Sequence, residues 1–316
     1  MSTALFFLVP IGMLAVVWSA CFVGCAFPTS GLPGGTDTTP TPYSNLILAE
    51  KPNLVAYWPL NEPMGATQAN DLSGNGHNGT YTTPPAYPFV SSTTGTAPAT
   101  SLAIASPTLA QGQGSLVGGD TGTGDQNTSP SSVDFDGSYV SIPWSTQIQT
   151  GLAQFTIEAW VQPGWSATDP AATYVLFDTR TPDFTGFAVF VGDDGNWAAI
   201  VGNGTTFVPI GSGQMIQFNS ATYIAVTCDA SGNVNFFINP TSDTAPAFPS
   251  TYKGVDQSQA TFFIGAGVPF QPLRTTANGT GSPLFAFNGQ IQDVALYDIA
   301  LQGSDILSHF QNGNAQ

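Results

Sequence analysis

The amino-acid sequence predicts an all-β protein, a sandwich of two antiparallel sheets. Between Phe155 and Val161, apolar residues alternate with Thr156, Glu158 and Trp160, which is the period of a strand that has one face in a core. Similar short runs, rich in β-branched and aromatic residues, are each bounded by Gly, Asn, Asp or Pro. Because strands this apolar need a second layer to cover them, we expect two packed sheets.

Charged residues are scarce in the chain of 316 residues. They make up 8% of it, only four are Lys or Arg, and the formal net charge is −16. Soluble domains usually have about a quarter of their residues charged. The few basic residues could not neutralise phosphates or anionic headgroups, which argues against nucleic acid as a partner and against electrostatic docking on lipid.

The N-terminal segment Ala4–Phe27 contains no charged residue and is long enough to cross a bilayer as one transmembrane helix. Three interpretations stay open. We favour a retained membrane anchor. A lipoprotein signal would attach lipid to Cys25, because Phe22–Cys25 is similar to a lipobox. A cleaved secretory signal would lack its usual positively charged start. We expect the main domain to be extracytoplasmic, in the periplasm or at the cell surface.

Composition divides the chain further. After the segment 1–27, residues 28–45 are rich in Pro, Thr and Gly and are predicted to be a linker. A globular part follows over 46–313. Within it, residues 82–132 form an insertion dominated by Thr, Ser, Pro, Gly and Ala. This insertion is either a partly ordered surface excursion or a long loop that covers the sandwich or holds a partner.

The strands of the globular part are predicted from their short apolar runs. A short helix is expected after the last strand, beginning at Ser304 and ending near Gly313. In order, the predicted strands are Leu54–Leu60, Val133–Ile142 as a hairpin, Phe155–Val161, Tyr174–Phe177, Phe187–Val191, Trp197–Val201, Tyr223–Cys228, Val234–Ile238, Phe262–Ile264 and Ile291–Tyr297.

Turn residues predict three hairpins among these strands. The Val133–Ile142 hairpin is expected to turn at Asp136-Gly137, a strong two-residue turn signal. Residues 193–196 are expected to join two strands in the same way, and so are residues 229–233.

Five ordered segments resemble the LamG-like jelly-roll family of the concanavalin A-like fold. They read LVAYWPLNE with DLSGNGHNGTY, VDFDGSYVSIP, FTIEAWVQP, YIAVTCDASGNVNFFIN and FNGQIQDVALYDIAL. The resemblance covers roughly residues 46–313 apart from the insertion, and it implies a concanavalin A-like jelly-roll β-sandwich. One departure is that Ser220–Tyr223 stands where the family often has Trp-His-His, so the role of that stretch does not carry over.

The resemblance also implies a structural Ca²⁺ that bridges the early Gly- and Asn-rich loop and the last strand. By position its ligands would be Asp71, Asn75 and Asp293, with Asp134 and Asp136 as weaker candidates. The loop does offer the carboxylate, amide and carbonyl oxygens that Ca²⁺ prefers. Plain Asx-turns would explain the same loop equally well, so both interpretations stay open.

We predict that the protein is not an enzyme. Glycoside hydrolysis usually needs two carboxylates that face one sugar bond, and the β-glucanase branch of this fold carries a Glu-x-Asp-x-x-Glu strand motif. Here the glutamates are Glu50, Glu62 and Glu158, never two in one strand. His77 lies in a Gly/Asn turn and His309 on the terminal helix, so both are interpreted as structural or solvated rather than as part of a triad.

Two functions fit these observations. The one we favour is a structural or interaction subunit of a larger membrane assembly, in contact with other subunits and with the lipid bilayer. The other is a carbohydrate-binding or adhesive module. Glycans are held on exposed aromatic rings with amides nearby, and Trp144, Trp165 and Trp197 lie in or beside turns as candidate platforms.

Overall fold

The computed structural model describes a large part of the globular region. The described residues are 42–63, 65–82, 88–89, 102–103, 108–113, 132–136, 138–150, 153–164, 174–192, 194–255, 260–267 and 287–314. The predicted anchor, Cys25, most of the linker and Trp165 lie outside them. Within this part of the chain, no helix is both long and apolar enough to cross a membrane.

The described strands form a sandwich of two antiparallel sheets, as predicted. They are β1 Leu54–Trp58, β2 Gln68–Ala69, β3 Gly79–Thr82, β4 Pro88–Phe89, β5 Leu102–Ala103, β6 Thr108–Gln113, β7 Ser132–Asp136, β8 Tyr139–Ile142, β9 Phe155–Pro163, β10 Tyr174–Asp178, β11 Phe187–Val191, β12 Asn196–Gly202, β13 Phe207–Met215, β14 Thr222–Cys228, β15 Asn233–Ile238, β16 Ala247–Pro249, β17 Phe262–Ile264 and β18 Asn288–Tyr297. Helix α1 spans Pro42–Ala49, helix α2 spans Gly303–Asn314, and a π-helical turn spans Thr146–Thr150.

Each large sheet has eight strands. Sheet A has the order β16-β15-β14-β9-β18-β7-β6, and β1 also pairs with β18. Sheet B has the order β13-β12-β11-β10-β17-β8-β3-β2. Strands β4 and β5 form a separate short ladder. Part of the insertion therefore extends sheet A, because β6 pairs with β7 at its edge.

The apolar faces of the two sheets meet in one core. Phe155 of sheet A stacks on Phe187 of sheet B, with ring centroids 4.1 Å apart and planes 12° from parallel. Trp58 meets Phe262 edge to face at 5.5 Å. Burial of large aromatic side chains from both sheets contributes most of the stabilisation of such a sandwich.

The outer face of sheet A is covered by the two helices. The alternation predicted for β9 is confirmed, since Phe155, Ile157, Ala159 and Val161 belong to the inner core while Trp160 joins a second apolar cluster under α1 and α2. Helix α1 was not predicted, and it begins within the expected linker. Its Tyr43 and Ile47 are buried in the apolar cluster that α2 shares, instead of extending into solvent.

One predicted hairpin is wrong. Strand β7 pairs with β18 and β6 in sheet A, whereas β8 pairs with β17 and β3 in sheet B. The chain thus crosses from one sheet to the other after Asp136. Because Val133, Phe135, Val140 and Ile142 all point into the core, the two strands face each other across it instead of pairing. The other two hairpins, β11–β12 and β14–β15, are confirmed.

Candidate functional site

The strand directions of sheet B bring several loops together. Strands β8 and β10 are both antiparallel to β17, and β10 and β12 are both antiparallel to β11. These three strands therefore run in one direction, and their carboxyl ends lie at one end of the sheet. We call the surface made by the loops there the loop end, which comprises residues 71–78, 143–150, 179–186, 203–206 and 252–255.

The aromatic ring of Phe184 is exposed at the loop end. Phe184 is 38% exposed, one of the few large apolar side chains in the described part of the chain that are so accessible. Its backbone lies in the left-handed region, with φ of 57°. That conformation costs a non-glycine residue about 1–2 kcal/mol, so the surrounding structure must enforce it.

Backbone hydrogen bonds fix this loop. The N–H of Phe184 donates to the carbonyl of Thr181 at 3.2 Å, and the carbonyl of Phe184 accepts from the N–H of Gly204 at 2.7 Å. The hydroxyls of Thr181 and Thr185 are 2.7 Å apart. A Cβ on Gly202 would overlap the carbonyl oxygen of Phe184, so only glycine permits this approach between the two loops.

The Phe184 ring rests on a second aromatic residue. Its centroid is 5.3 Å from that of Phe207, which is buried, and the guanidinium carbon of Arg180 lies 5.5 Å from the Phe207 centroid. Arg180 in turn donates to both carboxylate oxygens of Asp178, from Nη2 at 2.6 Å and from Nε at 3.0 Å. Both side chains of this ion pair are fully buried, so the pair supports the platform from below.

The outer face of sheet B behind this platform is apolar. It carries a cluster of small and aromatic side chains that point away from the main core, namely Val175, Ala188, Phe190, Ala198, Ile200 and Phe207. The sequence signal for the platform was weak, because Phe184 lies in a Thr-Pro-Asp-Phe-Thr-Gly turn that resembles any other loop. Only the positive φ and the contact with Phe207, which need a structure, identify it.

The three tryptophans predicted as glycan platforms differ in where they lie. Trp197 is fully buried in the core, so its prediction as a glycan platform is wrong. Its position in β12 makes its side chain face inward with Ala199 and Val201. Trp144 is half-buried at the loop end. Trp165 lies outside the described residues.

His77, also at the loop end, is structural. It is 8% exposed, its Nε2 lies 3.0 Å from Oε1 of Gln147, and its carbonyl accepts the indole N–H of Trp58 at 2.7 Å. These contacts tie the loop before β3 to the loop after β8. They agree with the structural interpretation made from the sequence.

Asp71 and Asn75, predicted as Ca²⁺ ligands, lie in one loop and organise it. Oδ1 of Asp71 accepts the N–H of Tyr57 at 3.0 Å and of Ser73 at 2.9 Å, and Oδ2 accepts the N–H of His77 at 2.9 Å. The amide of Asn75 donates to the carbonyls of Leu54 and Val55. The loop thus uses these side chains to satisfy the free edge of β1.

The third predicted ligand lies elsewhere. Asp293 is buried in a bulge of β18, where it has a φ of 56° and its carboxylate accepts the hydroxyl proton of Tyr57. Because β1 pairs with β18 on one side and bonds to the Asp71 loop on the other, strand β1 stands between Asp71 and Asp293. Asp134 and Asp136 lie on β7, opposite Gln290 and Asn288.

These positions do not form one donor set for Ca²⁺, so a shared ion stays a prediction that solution work must test. If Asp71 and Asp293 share an ion, we expect a chelator to lower the melting temperature and added Ca²⁺ to restore it. The measurement is thermal unfolding with EDTA and with added Ca²⁺, in the wild type and in Asp293→Asn. Asp293→Asn should lose this response, and a melting temperature that EDTA leaves unchanged in the wild type would rule out the bridging site.

Glu158 lies far from the loop end, under the helices on the outer face of sheet A. Its carboxylate is fully buried and accepts from the hydroxyls of Tyr223 and Tyr297 and from Nδ1 of His309. Burial alone would raise the pKa of Glu158, but the charge and hydrogen bonds of its partners hold it below the ordinary value of 4.5. Glu62 is also used structurally, since it accepts from the N–H of Asn70 and the hydroxyl of Tyr81.

Sequence comparison supports the fold directly. A family model described as the concanavalin A-like lectin/glucanases superfamily matches residues 134–307, just over half of the chain. No curated protein matches the sequence.

Several solved structures are similar to this chain at low sequence identity. Domain 4 of AbnA, a GH43 extracellular arabinanase from Geobacillus stearothermophilus in complex with arabinotriose, is 20% identical over 82% of this chain and 98% of its own, with a TM-score of 0.49. Botulinum neurotoxin type C, whose cell entry depends on interaction with two ganglioside molecules, is 12% identical over 83% of this chain and 51% of its own, with a TM-score of 0.47. This chain therefore spans about half the length of the neurotoxin chain.

Similarity at this level is too distant to argue for function, and the assignment to a family rests on the family model together with the two-sheet architecture. The chain belongs to the concanavalin A-like lectin/glucanases superfamily.

Proposed function

We propose that this protein is a non-catalytic carbohydrate-binding module and that the ring of Phe184 at the loop end is its sugar contact. The observation that carries the proposal is an exposed aromatic ring on a backbone held at positive φ. Conformations of this kind persist only where the fold enforces them, and they are concentrated at functional sites. An aromatic ring offers the apolar face on which the C–H groups of a sugar pack.

Polar groups beside the ring suit sugar hydroxyls. Oδ1 of Asn203 accepts the N–H groups of Thr205 and Thr206, which leaves its Nδ2 donors on the opposite side of the amide. Asn203 is half-buried and precedes Gly204, whose N–H bonds to Phe184. Asp183, exposed next to the ring, adds an acceptor. Aromatic stacking with a few fixed donors and acceptors is the usual composition of such a site.

The buried acidic groups support a binding role over a catalytic one. Glu158 and His309, a carboxylate and an imidazole of types that suit acid–base chemistry, are buried between sheet A and helix α2 and hydrogen-bonded to each other. A general acid or base must reach the proton that it transfers, within about 3 Å or through one water. Neither residue meets that condition for an external glycan.

Binding of the full-length protein to a glycan array tests the proposal, followed by titration calorimetry with the strongest glycan. Phe184→Ala should weaken that binding by at least about tenfold, since a central aromatic contact often contributes more than 1.4 kcal/mol. Phe184→Tyr keeps the ring and should retain binding. Met215→Ala removes a side chain that is 73% exposed and should change nothing. Unchanged affinity in Phe184→Ala would contradict the proposal.

Placement at a membrane is a separate proposal. An extracytoplasmic domain tethered by Ala4–Phe27, as a subunit of a larger membrane assembly, is supported by the uncharged segment alone. A tethered binding module is compatible with this placement. Sedimentation of the protein with membranes, reversed only by detergent, is the expected result.

A further inference from the structure

A buried polar cluster joins the C-terminal helix to sheet A. Nδ1 of His309 lies 3.0 Å from Oε1 of Glu158 and 3.1 Å from Oε2, and His309 is only 1% exposed. Tyr297 donates to Oε1 at 2.6 Å, and Tyr223 donates to Oε2. We call Glu158, Tyr223, Tyr297 and His309 the Glu158 cluster. In a chain with few charges, an ionisable pair at full burial is an unusual feature.

The remaining contacts of α2 are apolar and close. Phe310 stacks on Trp160 with centroids 5.9 Å apart, and a Cβ on Gly313 would lie 2.7 Å from Cζ2 of Trp160. Helix α1 packs against the same surface, since Tyr43 meets Trp160 edge to face at 6.4 Å. Its Ser44 hydroxyl lies 2.9 Å from that of Tyr57. The two helices therefore share one docking surface on the sheet.

We propose that protonation of His309 controls how firmly α2, and with it α1, is docked on sheet A. We call the helix pair α1 and α2 the clasp, because together the two helices cover the outer face of sheet A. Protonated His309 compensates the buried charge of Glu158. When His309 is neutral, the buried carboxylate of Glu158 is stabilised only by hydrogen bonds. A buried charge without an opposite charge beside it is costly.

The direction of the effect follows from the pKa shifts. Burial alone would lower the pKa of His309, but the charge and hydrogen bond of Glu158 outweigh it and raise the pKa above 6.5. Because the pKa of His309 is raised on folding, its contribution to the docking of α2 is complete below pH 6.5, the ordinary pKa of histidine. That contribution is lost as the pH rises through the pKa of His309 in the folded protein. The lowered pKa of Glu158 means that its stabilisation is complete above 4.5 and is lost as the pH falls through its own folded-state value. The clasp is thus tightest between these limits.

The other ionisable groups around the cluster do not reverse this direction. Burial, and next the charge of Glu158, raise the pKa values of Tyr223 and Tyr297 well above 10, so both stay protonated donors. Glu50 and Asp305 also raise the pKa of His309. Helix α1 and strand β1 also pack against the Glu158 cluster. Among the described residues, the ionisable side chains that they place beside it are Tyr43 of α1 and Tyr57 of β1.

Hydrogen exchange of the full-length protein tests this inference. Between about pH 6 and about pH 8.5, the protection factors of the amides in residues 303–314 should fall. The expected fall is tenfold for each unit by which the fold raises the pKa of His309. The protection factors of the amides in β14 should stay constant. The chain has two histidines, so their NMR titration gives the pKa of His309 directly, with His77→Gln to assign the signals. His309→Gln should abolish the pH dependence in α2, and His77→Gln should preserve it.

Two results would overturn the clasp. One is equal loss of protection in α2 and β14, which would mean global unfolding instead of undocking. The other is a pH dependence that persists in His309→Gln. If His309→Gln does not fold, the wild-type titration decides alone, because a His309 pKa at or below 6.5 rules out the proposed direction.

Discussion

Replacing Glu158 with alanine is expected to lower the free energy of unfolding by about 3–5 kcal/mol. The substitution leaves the hydroxyls of Tyr223 and Tyr297 and the ring of His309 without their common acceptor in a fully buried position. Each unsatisfied buried donor costs about 1–3 kcal/mol, and the side chain also leaves a cavity under α2. Urea unfolding measured near pH 6 gives the change.

Two controls separate this effect from a loss of charge alone. Glu158→Gln keeps an acceptor oxygen of the same shape and should cost less than the alanine variant. Asp243→Ala removes an exposed acid outside the cluster and should change stability by about 0.5 kcal/mol or less. A cost below about 1 kcal/mol for Glu158→Ala would show that α2 is held by its apolar contacts.

The second large effect is expected at the ion pair beneath the platform. Asp178→Ala removes the carboxylate that binds Arg180 in a bidentate way, while the guanidinium stays buried. Breaking a buried pair from one side costs about 3–5 kcal/mol. The same measurement of unfolding in urea applies, and Asp183→Ala, an exposed acid in the neighbouring turn, is the matched control.

A paired substitution decides what the ion pair is for. In Asp178→Leu with Arg180→Met, both charges are gone, and most of the lost stability should return because apolar residues of similar size replace them. If the pair only supports Phe207, this double variant should still bind the glycan selected by the wild type. If its stability returns and binding does not, the ion pair is needed to hold Phe207 and Phe184 in the geometry that binds the glycan.

Much of the architecture could be predicted because strand alternation depends on local sequence. Phe155–Val161 has period two, and its faces lie as that period requires, one in the core and one under the helices. The segments 193–196 and 229–233 contain the residues that tight hairpin turns need, and the strands on either side of each segment do pair as hairpins. Periodicity and turn chemistry are properties of neighbouring residues, so one sequence is enough to read them.

Other features depend on residues distant in the chain. The Asp136-Gly137 turn looks like a hairpin, but pairing with β18 and β17 draws its two strands into different sheets. The sequence does not predict strand β13, because Gly and Pro interrupt its pattern, although its register with β12 is continuous from Ala198 to Gly202. Phe184 could not be identified as a platform, since the residue beneath it, Phe207, comes from strand β13, more than twenty residues further along the chain. Glu158 is on the outer face, as its alternation predicts, yet only the helices explain its burial.

The position of β18 determines when this protein can fold. Among the described strands it comes last in sequence, yet it lies between β9 and β7 and also pairs with β1, while α2 contacts α1. On a ribosome, sheet A therefore lacks this strand until the chain has emerged beyond Tyr297. Until then, the edges of β9 and β7 that β18 covers present unpaired backbone groups, which favour association between chains. We therefore expect a chain truncated before Asn288 to aggregate more readily than the chain that contains β18.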